Sequence, residues 1–362
     1  MGNKAKTRIL RILAYIILLC GGATMLAPLA WMISTSLKQP GEVFQVPPKW
    51  IPTEQVMVKT GGRYLKASRL DVGGRQTEVL RVIERQRYSI VRVNDRTSPD
   101  FGKTLTVRRK LLTPVERVSV VWANYSRAWK AFPVDEGLFG LLRDTDGFLV
   151  WYINSLIVAL SITFGQLLTC SLAAYAFARL KFPGRDKLFL GYLATMMVPG
   201  VVTMIPVFVL LKYLDAWTGV PWRDTYKALI LPGMFSAYGT FMLRQFFMTI
   251  PTDLEDAAKI DGCGKLGVYR NVILPLSKPA LATLATLVFI GSWNDFMWPL
   301  IVTDSTGMKT LPVGLASFQG QYNTDWTMLM AASLIVLAPM VIVFLFNQRY
   351  FVRGIVLSGL KA

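Results

Sequence analysis

The sequence predicts an all-α polytopic membrane protein: six transmembrane helices, both termini cytoplasmic, and a small β-rich extracytoplasmic insert between the first and second helices. Three observations predict it. Apolar residues fill 53% of the 362 positions and mean hydropathy is +0.41, above the usual range for a soluble domain. They gather into six blocks near the roughly 20 residues that cross a hydrocarbon core of about 30 Å. Basic residues are concentrated in alternate short loops between those blocks.

The expected spans are residues 12–37, 149–178, 188–213, 228–250, 280–303 and 327–348. Prolines inside them (Pro28, Pro199, Pro206, Pro232, Pro299, Pro339) predict kinks, which a packed membrane bundle tolerates by satisfying the freed carbonyls. The first span follows a basic tail, residues 1–11, with Lys4, Lys6, Arg8 and Arg11. It is too long for a cleaved signal and is read as an uncleaved anchor, and Leu19 before Cys20 does not suit lipoprotein processing.

Sidedness rests on short-loop charge. Arg179, Lys181, Arg185 and Lys187 follow span two, Lys259, Lys265, Arg270 and Lys278 follow span four, and Arg349, Arg353 and Lys361 close the chain. The opposite loops are poorer, with Arg223 and Lys227 in one and Lys309 in the other. Much of the net charge of +18 therefore reads as membrane orientation rather than nucleic-acid binding.

Residues 38–148 form the long outer loop. A proline-rich lead, Phe44 to Pro52, gives way at about 55–118 to short strand-like runs such as Tyr88–Val93 and Thr104–Val107. Turn formers Gly61-Gly62, Gly73-Gly74 and Asn94-Asp95 separate them. The Arg and Lys excess of this insert is read as a solvated face or as a contact for an acidic partner or anionic headgroups.

Catalysis and metal binding find little support. There is no histidine, the commonest general base and metal ligand, and Cys20, Cys170 and Cys263 have no metal-like spacing.

The segment that carries function is Ile250 to Gly262, continuing to Ile273-Leu274-Pro275 and Pro279. It reads as a helix of about nine residues, about 13 Å at 1.5 Å per residue. Thr252 and Glu255 form an expected capping box, Asp253, Glu255 and Asp256 sit at the positive end, and Gly262 supplies the stop. Leu254, Ala257, Ala258 and Asp261 share the expected docking face. A second amphipathic stretch places Leu266, Tyr269, Val272 and Ile273 at helical spacing before Pro275 and Pro279 turn the chain into span five.

The run Glu-Asp-Ala-Ala-x-x-Asp-Gly followed by Ile-Leu-Pro resembles the EAA loop of binding-protein-dependent ABC importer permeases. Further stretches are similar to the maltose-type carbohydrate branch: Asn154-Ser155-Leu156, Ala174 to Arg179, Ser292-Trp293-Asn294-Asp295-Phe296, Leu311 to Leu315 and Gln348 to Gly354. The resemblance covers most of residues 12–54 and 120–362 and leaves out the insert. It implies an inner-membrane permease subunit with core 149–350, a coupling loop at 251–279 and a cytoplasmic tail at 351–362. Its implied partners are a second permease subunit, two ATP-binding subunits, an extracytoplasmic solute-binding protein and a sugar substrate. ATP and Mg belong to the partner ATPase, since this chain has no Gly-x-x-x-x-Gly-Lys-Ser/Thr loop. The implied coupling residues are Glu255, Asp256, Ala257, Ala258, Asp261, Gly262 and Pro275. Asp256 stands where the family usually has glutamate and Glu255 precedes it, so the sequence leaves open which carboxylate makes the main contact.

Polar residues at membrane depth are candidates for the substrate path. Asp295, Asn294 and Trp293 suit hydroxyls and a pyranose face, or else tie helices together at a kink; Gln166 is a further candidate. Arg244, a weaker candidate, is read as snorkelling or pairing near the cytoplasmic side. Gln319, Gln321 and Tyr322 in the last outer loop are candidate contacts for a binding protein. A self-sufficient ion-coupled carrier is the alternative; it would need paired intramembrane acids and repeated halves.

Overall fold

The computed structural model describes residues 3–72, 75–137, 142–319 and 324–357. The chain divides into two compact units, residues 1–126 with 325–331 and residues 127–324 with 332–362.

In the first unit, helix α1 (Asn3–Ser36) runs through Pro28 with most of its apolar side chains exposed, as a helix solvated by hydrocarbon would be. Its carboxyl end is finished by a side chain from beyond the insert. Asn124 Nδ2 donates to the carbonyls of Ser36 and Lys38, both at 2.8 Å, at the start of α2 (Ala123–Trp129).

The insert begins and ends on one antiparallel pair, β1 (Thr53–Gln55) against β8 (Glu116–Val118), so its two ends are held together. Between them, β2 (Met57–Thr60), β3 (Arg63–Val72), β4 (Arg75–Glu84), β5 (Tyr88–Val93) and β6 (Thr104–Arg108) lie in sequence order, with β7 (Leu112–Pro114) against β3. The alternation read in the sequence gives one buried face: Leu70, Val79, Val91, Val93 and Leu112. Gly61 and Gly62, at φ +57 and +79, make the β2–β3 turn. Gly73 and Gly74, the other expected glycine turn, lie outside the described residues.

The second unit opens with the hairpin β9 (Pro133–Gly137) and β10 (Leu142–Asp146), followed by the long helix α3 (Gly147–Arg179). Then come α4 (Arg185–Ala194), α5 (Gly200–Thr218), α6 (Tyr226–Ile230), α7 (Ala237–Met248), α8 (Thr252–Ile260), α9 (Lys265–Val268) and α10 (Leu274–Leu276). Helices α11 (Lys278–Trp293), α12 (Met297–Val302) and α13 (Leu311–Ala316) follow, and α14 (Trp326–Leu357) closes the described chain. Helix α3 packs along α7 and α11, with Cys170, Ala174, Leu243, Phe247 and Leu284 buried between them.

Four helical segments among the described residues are long and apolar enough to cross a bilayer: Lys6–Ser36, Gly147–Arg179, Gly200–Thr218 and Trp326–Gln348. The pair Lys265–Leu276 and Lys278–Trp293, bent by 77°, raises the number to five if counted as one span. Six spans, expected with kinks at their prolines, are thus not all present as continuous helices among the described residues, and the reasons are local. Span 188–213 breaks at 195–199, where Pro199 precedes α5. Span 228–250 is interrupted by a 3-10 turn over Leu231–Met234 containing Pro232 and Gly233, and α7 restarts when the Ser236 hydroxyl accepts the Gly239 N–H at 3.1 Å. Span 280–303 breaks at 294–296, between α11 and α12. Pro206 and Pro339, by contrast, lie inside continuous helices.

Candidate functional site

Helix α8 is built differently at its two ends. Thr252 is the first helical residue rather than the cap; Pro251 stands at the cap with no side-chain bond, so the expected capping box is absent. Glu255 turns inward instead. Its carboxylate is buried 2.9 Å from Nε of Arg179, the last residue of α3, in an ion pair without hydrogen-bond alignment. Arg179 also donates through Nη2 to the carbonyls of Phe247, in the last turn of α7, and Ile250, just beyond it. The carboxyl end is as expected. Gly262 (φ +88) donates to Lys259 O at 3.0 Å and Cys263 N–H to Ala258 O at 2.9 Å, the paired bonds of a Schellman stop.

These two ends set the faces. Ala258, expected outside, is buried with Ala174, Tyr175, Phe247 and Ile250, because it lies one turn from Glu255 on the inward stripe. The outward surface carries Asp253, Leu254, Asp256, Ala257, Ile260 and Asp261, with Ile260 87% exposed. Asp256 holds Lys259 at 2.8 Å, and its carboxylate raises the Lys259 ammonium above the usual range. Of the two adjacent acids, Glu255 is internal and Asp256 external.

The second stretch is also corrected. Leu266 is exposed rather than inward, and Tyr269 to Ile273 form a π turn that buries Tyr269 and Ile273. Tyr269 Oη meets the Ser171 hydroxyl at 2.7 Å, and Tyr175 Oη donates to Lys265 O at 3.0 Å, both on α3. Pro275 is exposed in the first turn of α10.

The other candidates part company. Trp293 is fully buried in this structure, donates Nε1–H to Val336 O at 3.1 Å and stacks on Phe289, away from the cavity described next. Asn294 Nδ2 donates to Ile290 O one turn back and contacts Met340 Sδ at 2.9 Å. Gln166 and Asp295 are brought together, lining one cavity of about 320 Å³. Gln166 Nε2 donates to Gly233 O at 2.7 Å, and Asp295 Oδ1 accepts the Trp298 N–H at 3.4 Å. Its apolar wall includes Ile162, Val207 and Leu229. Trp298, which sequence reading missed, is the indole that lines this cavity, with Nε1–H donated to Ala228 O at 2.9 Å.

Gln319 is exposed and bridges Thr324, while Gln321 and Tyr322 lie outside the described residues. Arg244 pairs as expected, lying 4.0 Å from Asp186 and over the Phe189 ring at 4.1 Å. The Asn154-Ser155 and Leu311 to Leu315 stretches hold each other. Asn154 Nδ2 donates to the carbonyls of Gly307 and Lys309, and the Ser155 hydroxyl accepts the Leu311 N–H at 2.7 Å. Among the described residues, no group of three or more His, Cys, Asp or Glu side chains forms a metal site.

Residues 150–356, more than half of the chain, match the family described as "binding-protein-dependent transport system inner membrane component". The arabinooligosaccharides transport system permease protein AraQ of Halalkalibacterium halodurans is 39% identical over 211 residues, 58% of this chain and 74% of that protein. The sn-glycerol-3-phosphate transport system permease protein UgpE of Yersinia pestis is 37% identical over 238 residues, 65% of this chain and 80% of that protein. A subunit of a bacterial ABC transporter involved in the import of the acidic polysaccharide alginate shares the fold, with TM-score 0.66 at 19% identity. That likeness covers 97% of this chain and 99% of the other, too much of the chain to omit the β-rich insert.

Proposed function

The chain belongs to the family of binding-protein-dependent transport system inner membrane components, and from that premise we propose that it is a permease subunit of an ATP-driven sugar importer. It sits as a multi-pass subunit in a bacterial cytoplasmic membrane, with both termini and helix α8 on the cytoplasmic side. A second permease subunit, two ATP-binding subunits and an extracytoplasmic solute-binding protein complete the importer. ATP and Mg are bound and used by the partner ATPase.

One observation carries this reading: α8 presents Leu254, Asp256, Ala257 and Ile260 outward while its buried side is fastened to the end of α3 through Glu255 and Arg179. Such a helix can be gripped on one face and pull with the other. Residues 166 to 179 of α3 span about 20 Å at 1.5 Å per residue, linking Gln166 in the cavity to Arg179. Helix α11, 16 residues and about 24 Å, starts beyond the loop and ends just before Asp295. When ATP closes the partner dimer, a displacement of α8 reaches both walls of the cavity through these rods, the kind of rigid-body change that alternates access. Ala257 lets another surface approach closely, and the outward acids would suit a basic rim on the ATPase.

The test is co-purification and substrate-stimulated ATPase activity of the reconstituted importer with Ile260→Glu and Asp256→Lys. Both residues are exposed, so the subunit is expected to insert normally yet release its ATPase. Full retention of the ATPase and of stimulated turnover in the double variant would refute the coupling role.

A further inference from the structure

The cavity between α3, α5 and the broken ends of α11 and α12 has an unbalanced electrostatic lining. Its polar groups are the Asp295 carboxylate, the Gln166 amide and the hydroxyls of Thr203 and Ser292, and none of its lining residues is lysine or arginine. No ion pair within 4 Å engages Asp295 among the described residues; its carboxylate accepts from the backbone N–H groups of Trp298 and Met297. Those contacts also occupy the backbone donors at the start of α12, which would otherwise be free for an anion. The Gln166 amide spends one of its two N–H groups on Gly233 O, leaving a carbonyl acceptor and a second N–H, both uncharged. The Thr203 hydroxyl donates to Gly200 O, while the Ser292 hydroxyl has no described partner. The lining therefore carries one carboxylate, neutral polar groups and apolar surface, and lacks cations.

We propose that this cavity selects by charge: the route through this subunit passes electrically neutral polyhydroxylated solutes and rejects phosphorylated or uronate-type anions, with Asp295 as the discriminating residue. This rests on the importer reading above and narrows it. Sugar hydroxyls donate to the Asp295 carboxylate and the Gln166 carbonyl, and the apolar ring faces meet Leu229, Val207 and Trp298. An anion held about 6 Å from Asp295, at an effective dielectric near 20, is disfavoured by about 100-fold in occupancy. The two curated relatives named above differ in this respect, one named for a neutral oligosaccharide and the other for a phosphate ester, and the cavity places this chain with the former kind of cargo.

The experiment uses the full importer, with its own binding protein and ATPase, in proteoliposomes. Arabinotriose and maltotriose are compared with trigalacturonate and sn-glycerol 3-phosphate, and uptake is expressed per loaded binding protein so that the receptor's own preference is divided out. The expected result is that at least one neutral probe is favoured over both anions by about 100-fold, and that Asp295→Asn cuts this ratio by about 10-fold or more. Ser292→Lys, which adds a cation to the same cavity, is expected to raise anion uptake and guards against loss of folding in the first variant. Anion uptake equal to neutral uptake in the wild type, or a ratio unchanged in both variants, overturns the proposal while leaving the importer reading intact. ATP-independent uptake of these probes would instead overturn the importer reading, and the proposal with it.

Discussion

Removing Arg179 tests whether α8 is welded to the bundle. The Glu255 and Arg179 side chains are 8% and 9% exposed, so Arg179→Met leaves a buried carboxylate alone, a loss of about 3–5 kcal/mol. It also strips Ile250 O of its guanidinium donor; Phe247 O still accepts the Ile250 N–H at 3.1 Å and is not orphaned. One unsatisfied carbonyl adds about 1–3 kcal/mol. Glu255→Met is expected to cost less, because the guanidinium it leaves behind retains two carbonyl acceptors. The double variant should fall short of the sum of the singles by about 2 kcal/mol, since neither charge remains unpaired. SDS titration of the purified subunit in mixed micelles reads all four stabilities, and ATPase stimulation by loaded binding protein reads coupling. Coupling should fail in Arg179→Met before folding does. Additivity of the two substitutions within about 0.5 kcal/mol would mean that the carboxylate and guanidinium do not depend on each other, and the proposed linkage through them would be wrong.

Three further outcomes are expected. Gly262→Ala places a side chain at φ +88 and should cost about 1–2 kcal/mol, read as faster amide exchange across 258–263. Gly314→Ala should be more damaging, because a Cβ there would stand 2.1 Å from Cε3 of Trp151 and force apart the contact that fixes α13 on α3; overpacking of this kind costs about 1–3 kcal/mol or more, read as lost thermal stability in detergent. In the insert, hydrogen bonds from Arg117 and Ser119 hold the Glu54 carboxyl below its ordinary range, and the Thr97 hydroxyl and N–H do the same for Asp95. A depressed carboxylate stabilises above its unfolded pKa and ceases to as pH falls through the folded one, so amide protection in the insert should be flat above about pH 5 and decline below about pH 4. Protection that instead declined on raising the pH from 5 to 7 would contradict that assignment.

Much of this was legible because it depends on short-range pattern. Alternation gave β5 and most of β6, and Gly262 marked the stop of α8, since both follow from one or two residues' own geometry. The faces of α8 were only partly legible. A nine-residue helix has one polar and one apolar stripe by composition, but Glu255 points inward because Arg179 waits there, 76 positions away, and no local rule supplies that partner. Trp298 escaped notice beside Trp293 for a related reason. On a continuous helix the two indoles would be separated by a fixed rotation, yet the break at 294–296 resets the phase and leaves Trp298, not Trp293, on the cavity.

The interrupted helices are where the missed features and the candidate function coincide. A hydropathy window sums apolar residues and is blind to whether their backbone hydrogen bonds run without a gap, so it reads 228–250 and 280–303 as two clean spans. Both are broken, and Pro232, Gly233 and Asp295 at those breaks line the cavity. Irregular backbone at membrane depth is tolerated where it borders protein or water rather than lipid. Gly233 O, freed by its 3-10 turn, is taken by Gln166, and the start of α12 is taken by Asp295. The polar side chains at this cavity thus have a structural task and only part of their bonding capacity left for a solute. A residue that must stay to satisfy the backbone can serve a passing solute only with the capacity left over, here the remaining carboxylate lone pairs and the carbonyl and second N–H of the amide. The charge they leave is negative and no lining cation offsets it, which is why the physical case favours a neutral solute that brings hydroxyls over one that brings negative charge.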